Sequence, residues 1–255
     1  MKANFKKQHL MGAALAVATL SNIPAARADV SYDSSAVIGY TINSIISSNP
    51  NNPGDLSGLS ISGSFQQLTD TNDFYAYTSG DGSYLANSPN ISPTAIAGNN
   101  FNGTFSVSGD SAAYGTVDTL HTGVFSLDLT NTGTNSFNID VTMGYELNAV
   151  AGGVYANSSI LLDYWDSNNT LSGFDYVGAG TYTGYGYDNQ AELGSAELVY
   201  TLAPGATESL IVQAAIQSSL DSTSTSPVPL PAAFWFFASG LLGMIGSKKT
   251  RHDKA

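Results

Sequence analysis

The 255-residue chain is expected to fold as an all-β, antiparallel β-sandwich, either immunoglobulin-like or jelly-roll. Three observations predict this. Apolar residues recur at every second position in one segment after another. No stretch of the middle holds a 3.6-residue period over several turns. The segments are separated by clusters of Gly, Asn, Ser and Thr, which make turns. The two ends break the pattern. The chain therefore divides into a cleavable signal peptide (1–28), a sandwich domain (29–217), a Ser/Thr-rich linker (218–227) and an apolar tail with a transmembrane helix (228–255).

The leader comes first. Lys2, Lys6 and Lys7 precede an apolar run, Leu10 to Leu20, and Ala26-Arg27-Ala28 is a small-x-small cleavage site. That run is too short to span a bilayer comfortably and has no polar face. Signal peptidase is the expected partner, and Asp29 the expected mature terminus.

The strands follow in order. Ile38, Tyr40 and Ile42 alternate, then Leu59, Ile61 and Phe65, then Phe101, Phe105 and Val107. Residues 66–99, with "DTNDFY", "SGDGSY" and "NSPNISP", read as a long decorated loop or irregular insertion. Phe125, Leu127 and Leu129 lead through "TNTGTNS" to Phe137, Ile139, Val141, Met143, Tyr145 and Leu147, which reads as a hairpin with one buried face. Ala196, Leu198, Tyr200 and Leu202 lead through "APGAT" to Leu210, Val212, Ala214 and Ile216, a second expected hairpin turning at Pro204-Gly205. These two units resemble extracellular immunoglobulin-like modules, which often carry an "NTG" turn and an "L-x-P-G" turn before the last strand.

Charge narrows the function classes. Lys2, Lys6, Lys7, Arg27, Lys248, Lys249, Arg251 and Lys254 are the only Lys and Arg residues, and none lies between Asp29 and Ser247. Of 20 acids only Asp253 lies outside that span, leaving 20 − 1 = 19 within it. Nucleic acid is excluded as a partner, because phosphate binding needs cations. Anionic lipid surfaces are disfavoured for the same reason. With no Cys, there is neither a disulfide framework nor thiol chemistry.

Catalysis finds little support, and no enzyme activity is expected. His121 is the body's one histidine and no Gly-x-Ser-x-Gly elbow occurs. Zinc lacks His or Cys clusters, and no cofactor is implied. Calcium has oxygen ligands available in Asp70–Asp73 and in Asp163–Asn169, although neither follows the EF-hand order. All 14 tyrosines fall in the body, and "DYVGAGTYTGYGYDN" sets Tyr176, Tyr182, Tyr185 and Tyr187 among glycines. Tyr182, Tyr185 and Tyr187 are candidate glycan contacts, offering flat apolar rings to sugars. Cross-strand packing of the same tyrosines is the alternative.

The tail is the most specific motif. Leu230 to Gly246 is a 17-residue uncharged run, at the lower limit of a membrane span, with Trp235 near its outer end. Lys248, Lys249 and Arg251 form a basic stop held in the cytoplasm by the positive-inside rule. Val228-Pro229-Leu230-Pro231, the apolar run and "SKKTR" together resemble the PEP-CTERM protein-sorting domain of Gram-negative bacteria, with Leu230 where Glu is commonest. The resemblance covers about 226–251. It implies transient residence in the inner membrane and processing by an exosortase near the proline motif. Release to the cell surface or extracellular matrix, beside exopolysaccharide in biofilm or floc, would follow. A C-terminal anchor that is never cut is the alternative.

Overall fold

The computed structural model describes residues 29–89, 100–112, 114–168, 170–181 and 186–223, which belong to one unit, Ala28–Thr225. The expected signal peptide, the linker from 224 and the sorting tail lie outside them. Eleven strands are formed: β1 Val30–Ser47, β2 Leu59–Gln67, β3 Phe74–Gly80, β4 Ser83–Asn87, β5 Asn100–Ser111, β6 Gly115–Asn131, β7 Phe137–Gly153, β8 Ala156–Asp166, β9 Ser172–Thr181, β10 Gly186–Leu202 and β11 Thr207–Asp221. All pairings are antiparallel, and the described residues contain no helix. The first sheet has the order β10-β7-β1-β5-β4. The second has the order β2-β6-β11-β8-β9, with β3 also paired to β6. The all-β, sandwich-like expectation is met.

Period-2 alternation builds the core. Along β1, Ala36, Ile38, Tyr40 and Ile42 are buried while their neighbours are not. They meet Phe105 of β5 and Phe137, Ile139, Val141, Met143 and Leu147 of β7 on one side of the core. Phe125, Leu127 and Leu129 of β6, Ile160 and Leu162 of β8, and Leu210, Val212, Ala214 and Ile216 of β11 form the other side. Burying a side chain of this size stabilises by about 1.5–3 kcal/mol, so the cluster dominates folding. Polar bonds pin the two sheets together. The Tyr32 hydroxyl and Thr119 Oγ1 lie 3.2 Å apart, and Ser34 of β1 bonds Ser158 of β8, which bonds Ser218 of β11.

Both expected hairpins are corrected. β6 pairs with β11, β2 and β3, whereas β7 pairs with β1 and β10, so "TNTGTNS" crosses from one sheet to the other. β10 and β11 are likewise in different sheets, so the turn at Pro204-Gly205 is also a crossing. Alternation records which face is buried, not which neighbour supplies the hydrogen bonds. A short turn can bridge the ~10 Å between sheets as well as the ~4.8 Å between strands. Asn131 ties the two crossings. Its Nδ2 donates to the carbonyls of Asn135 and Leu202, its N–H donates to the Ala206 carbonyl, and its own carbonyl accepts from Gly205, whose φ is 77°.

Three further differences from the expectation concern strands. Residues 66–99 contain β3 and β4 in place of the expected loop; these edge strands bury almost nothing and so show no alternation. β8 and β9 form a true hairpin that the alternation did not reveal, because β9 is rich in glycine. β11 runs past the boundary expected at 217, with Ser218, Leu220 and Ser222 all buried. The described chain thus ends beside its beginning: Val30 pairs with Ser111, and Ser111 Oγ lies 2.6 Å from Ser222 Oγ.

Candidate functional site

Most of the sequence-predicted site residues fall outside the described residues. Ala26, Ala28, Val228, Pro229, Leu230, Pro231, Lys248, Lys249, Arg251, Tyr182 and Tyr185 lie outside the described residues. Tyr187 sits on β10 opposite Gly152, exposed on the outer face of the first sheet. Its strand begins at the end of the sandwich where β11 finishes.

His121 is a packing residue. It lies on β6 with its ring centroid 5.0 Å from Phe74, edge-on, and 5.6 Å from Tyr84. Its Nδ1 is 3.1 Å from Gln67 Nε2, and its Nε2 is buried with no hydrogen-bond partner. Burial holds its pKa below the ordinary 6.5, because the cation would lose hydration without gaining a counter-charge.

The carboxylates mostly close turns. Asp166 is pushed up by burial, but bonds from the Thr170 hydroxyl and from the backbone N–H groups of Leu171 and Thr170 outweigh this and hold it below 3.8. At Asp188 the Gly180 N–H, donated from β9 at 2.9 Å, has the same lowering effect. The Asp70–Asp73 stretch is a turn, with the N–H of Asp73 and of Phe74 donating to the Asp70 carbonyl. Among the described residues no group of three or more His, Asp or Glu side chains could hold a metal ion.

Two outer faces have the shape of a site. On the second sheet, Phe174 and Tyr176 of β9 point outward, with Phe174 75% and Tyr176 59% exposed. Tyr176 stands opposite Leu161 of β8, which is 41% exposed, and Phe174 stands opposite Asp163. Trp165, opposite Ser172, is the diagonal neighbour of Phe174 on the same face. Tyr176 lies along its own strand over Gly178. A Cβ added there would stand 2.6 Å from the Tyr176 hydroxyl oxygen, so the tip of the ring takes the space that a side chain at 178 would fill. Tyr176 stands out in the sequence among glycines, whereas Phe174, Trp165 and Leu161 do not. The signal was present as Leu161-x-Asp163-x-Trp165 and Phe174-x-Tyr176, a second alternation on the face away from the core.

On the first sheet, the pairing register aligns Asn102, Gly39, Gly144 and Ser195 in a row across β5, β1, β7 and β10. The missing side chains leave an open trough of about 600 Å³, flanked by Val37, Glu146 and Leu193 on one side and by Thr41 and Thr142 on the other.

No family model and no curated protein matches the chain. Among solved structures it is weakly similar to TmCBM61 in complex with beta-1,4-galactotriose. That match is 8% identical over 38% of this chain and 67% of that one, with a TM-score of 0.11. A second similar structure is described as one of the carbohydrate-binding modules from the beta-sandwich super family. It is 9% identical over 62% of this chain and 95% of that one, with a TM-score of 0.08. Likeness at this level decides neither topology nor ligand.

Proposed function

We propose that the chain is an exported, non-catalytic protein sorted by an exosortase to the cell surface or extracellular matrix of a Gram-negative bacterium. There it acts as a structural or adhesive element of an exopolysaccharide or biofilm layer. The observation that carries this reading is the tail: Val228-Pro229-Leu230-Pro231, then the uncharged run to Gly246, then Lys248, Lys249 and Arg251. The leader at the other end supports it, as does the absence of every Lys and Arg between Asp29 and Ser247. Prolines at the membrane edge cannot continue a helix, which keeps the motif extended for a peptidase. Both ends of the described domain emerge at one end of the sandwich, which suits a body hung from a single point.

Of the two sandwich classes, the jelly-roll fits better. The chain alternates between sheets from β5 to β8 and again from β9 to β11. In this reading β5 to β11 supply seven strands of a jelly-roll, and β1, between β5 and β7, fills the place of the last. A carbohydrate-binding role is the second reading, favoured by the exposed aromatics of β9.

Mass spectrometry of the mature protein, with its cell fraction, tests the sorting. The expected species begins at Asp29, lacks the apolar tail and is found at the surface or in the matrix. Surface-exposed protein still ending at Ala255 overturns it.

A further inference from the structure

We propose that the outer face of β8 and β9, formed by Phe174, Tyr176, Leu161 and Trp165, is a binding platform for a neutral polysaccharide chain. This rests on the second reading, a carbohydrate-binding role, and names the ligand class and the face.

Several independent features carry it. The exposed apolar side chains are contiguous here, whereas Tyr187, Leu193 and Val199 of β10 are six residues apart, about 20 Å each along the strand. The strip from Leu161 to Trp165 is about 13 Å long, room for more than one sugar ring. Gly178 leaves room for the Tyr176 ring to reach along its own strand, an exposed aromatic surface on which a pyranose can stack. Hydrogen-bonding groups are interleaved: Asp163 stands opposite Phe174 and beside Gln213 of β11, and Ser159 stands opposite Gly178. Sugar hydroxyls can donate to such oxygens.

Charge selects among occupants. The body carries 19 carboxylates and no Lys or Arg, so an anionic polymer or lipid surface is repelled. A second copy of the chain brings the same charge and is disfavoured for the same reason. A neutral, hydroxyl-rich chain meets neither penalty.

The test is affinity electrophoresis of the mature protein through gels holding β-glucan, mannan, xylan or dextran, with alginate as the anionic control. At least one neutral polymer is expected to retard the wild type, and alginate is not. Phe174→Ala and Tyr176→Ala are each expected to weaken retention about tenfold. Gly178→Val keeps every aromatic atom but lifts the Tyr176 ring, and is expected to weaken retention severalfold. Leu193→Ala, in the trough of the other sheet, should change nothing. Thermal unfolding verifies that each variant is folded, which is expected because all four positions lie on outer faces. If the double Phe174→Ala/Tyr176→Ala variant is retarded like the wild type, or if Leu193→Ala abolishes retention, the platform is refuted while the polysaccharide reading stands. If no neutral polymer retards the wild type, both fall. If the platform variants change only self-association in light scattering, the face is an interface between copies and the proposal is overturned.

Discussion

At the scale of single residues, three of the glycines inside strands are explained by aromatics. Tyr32 lies over Gly109, Tyr145 over Gly194 and Tyr164 over Gly173, each the directly opposite cross-strand pair. A Cβ on Gly109 would stand 2.5 Å from the Tyr32 ring, so a tyrosine fills the space that a side chain would take. The Tyr145 hydroxyl also reaches across to Asp175 Oδ2 at 2.7 Å. Burial raises the pKa of Tyr145, and the Asp175 contact raises it further. His121 gives a prediction. Its folded pKa lies below 6.5, so the unfolded chain binds the proton more readily. The stability tied to the neutral ring is complete above pH 6.5 and is lost as pH falls through the folded value. The urea midpoint of the wild type should therefore drop between pH 7 and pH 5 by more than that of His121→Gln. Parallel curves for the two proteins would contradict this. At lower pH, Asp166 and Asp188, both held below 3.8, remove stability with the same sign.

At the scale of elements, alternation exposed most of the strands that bury one whole face, β8 excepted, and hid those that do not. β1, β5, β6, β7 and β11 were legible because each buries every second residue for ten residues or more. β3, β4 and β9 were not, because they are short or lie at sheet edges. The edges carry their own devices. β9 and β10 each end a sheet, and both carry a half-buried carboxylate there: Asp175 on one and Asp188 on the other. Such charges oppose pairing with a foreign strand. Replacing Gln190 and Glu192 with Val should make β10 a continuous sticky edge. Light scattering that rises with concentration more steeply than for the wild type is the expected outcome, and unchanged scattering would count against it.

At the scale of the whole molecule, the body's extent is set by the core and not by composition. "SSLDSTSTSP" reads as a polar linker, yet Ser218 and Ser222 are held in the interior by hydrogen bonds. Gly115 N–H donates to Ser222 Oγ at 2.7 Å, fixing the end of β11 to the start of β6. A chain ended after Gln217 loses the burial of Leu220, about 2 kcal/mol, and leaves core hydroxyls such as Ser158 short of a partner, about 1–3 kcal/mol each. Against a total stability of roughly 5–15 kcal/mol, this should lower the unfolding temperature markedly, whereas ending after Thr223 should not. Equal melting temperatures would show that the last turn of the domain contributes nothing.

The sequence by itself determined the fold class, the charge, and the two terminal signals as expectations, because each is written in local order: period two, sign of side chain, length of an apolar run. Only the tertiary structure decided which strands share a sheet, where the domain ends and which aromatics face outward together. Those depend on pairings between residues far apart in the chain. Phe174 and Trp165 become neighbours only when β8 and β9 pair, and Ser218 becomes buried only when β1 closes over β8 and β11. A period of two cannot distinguish a neighbour beside a strand from one across the core, and both misplaced hairpins follow from that single degeneracy.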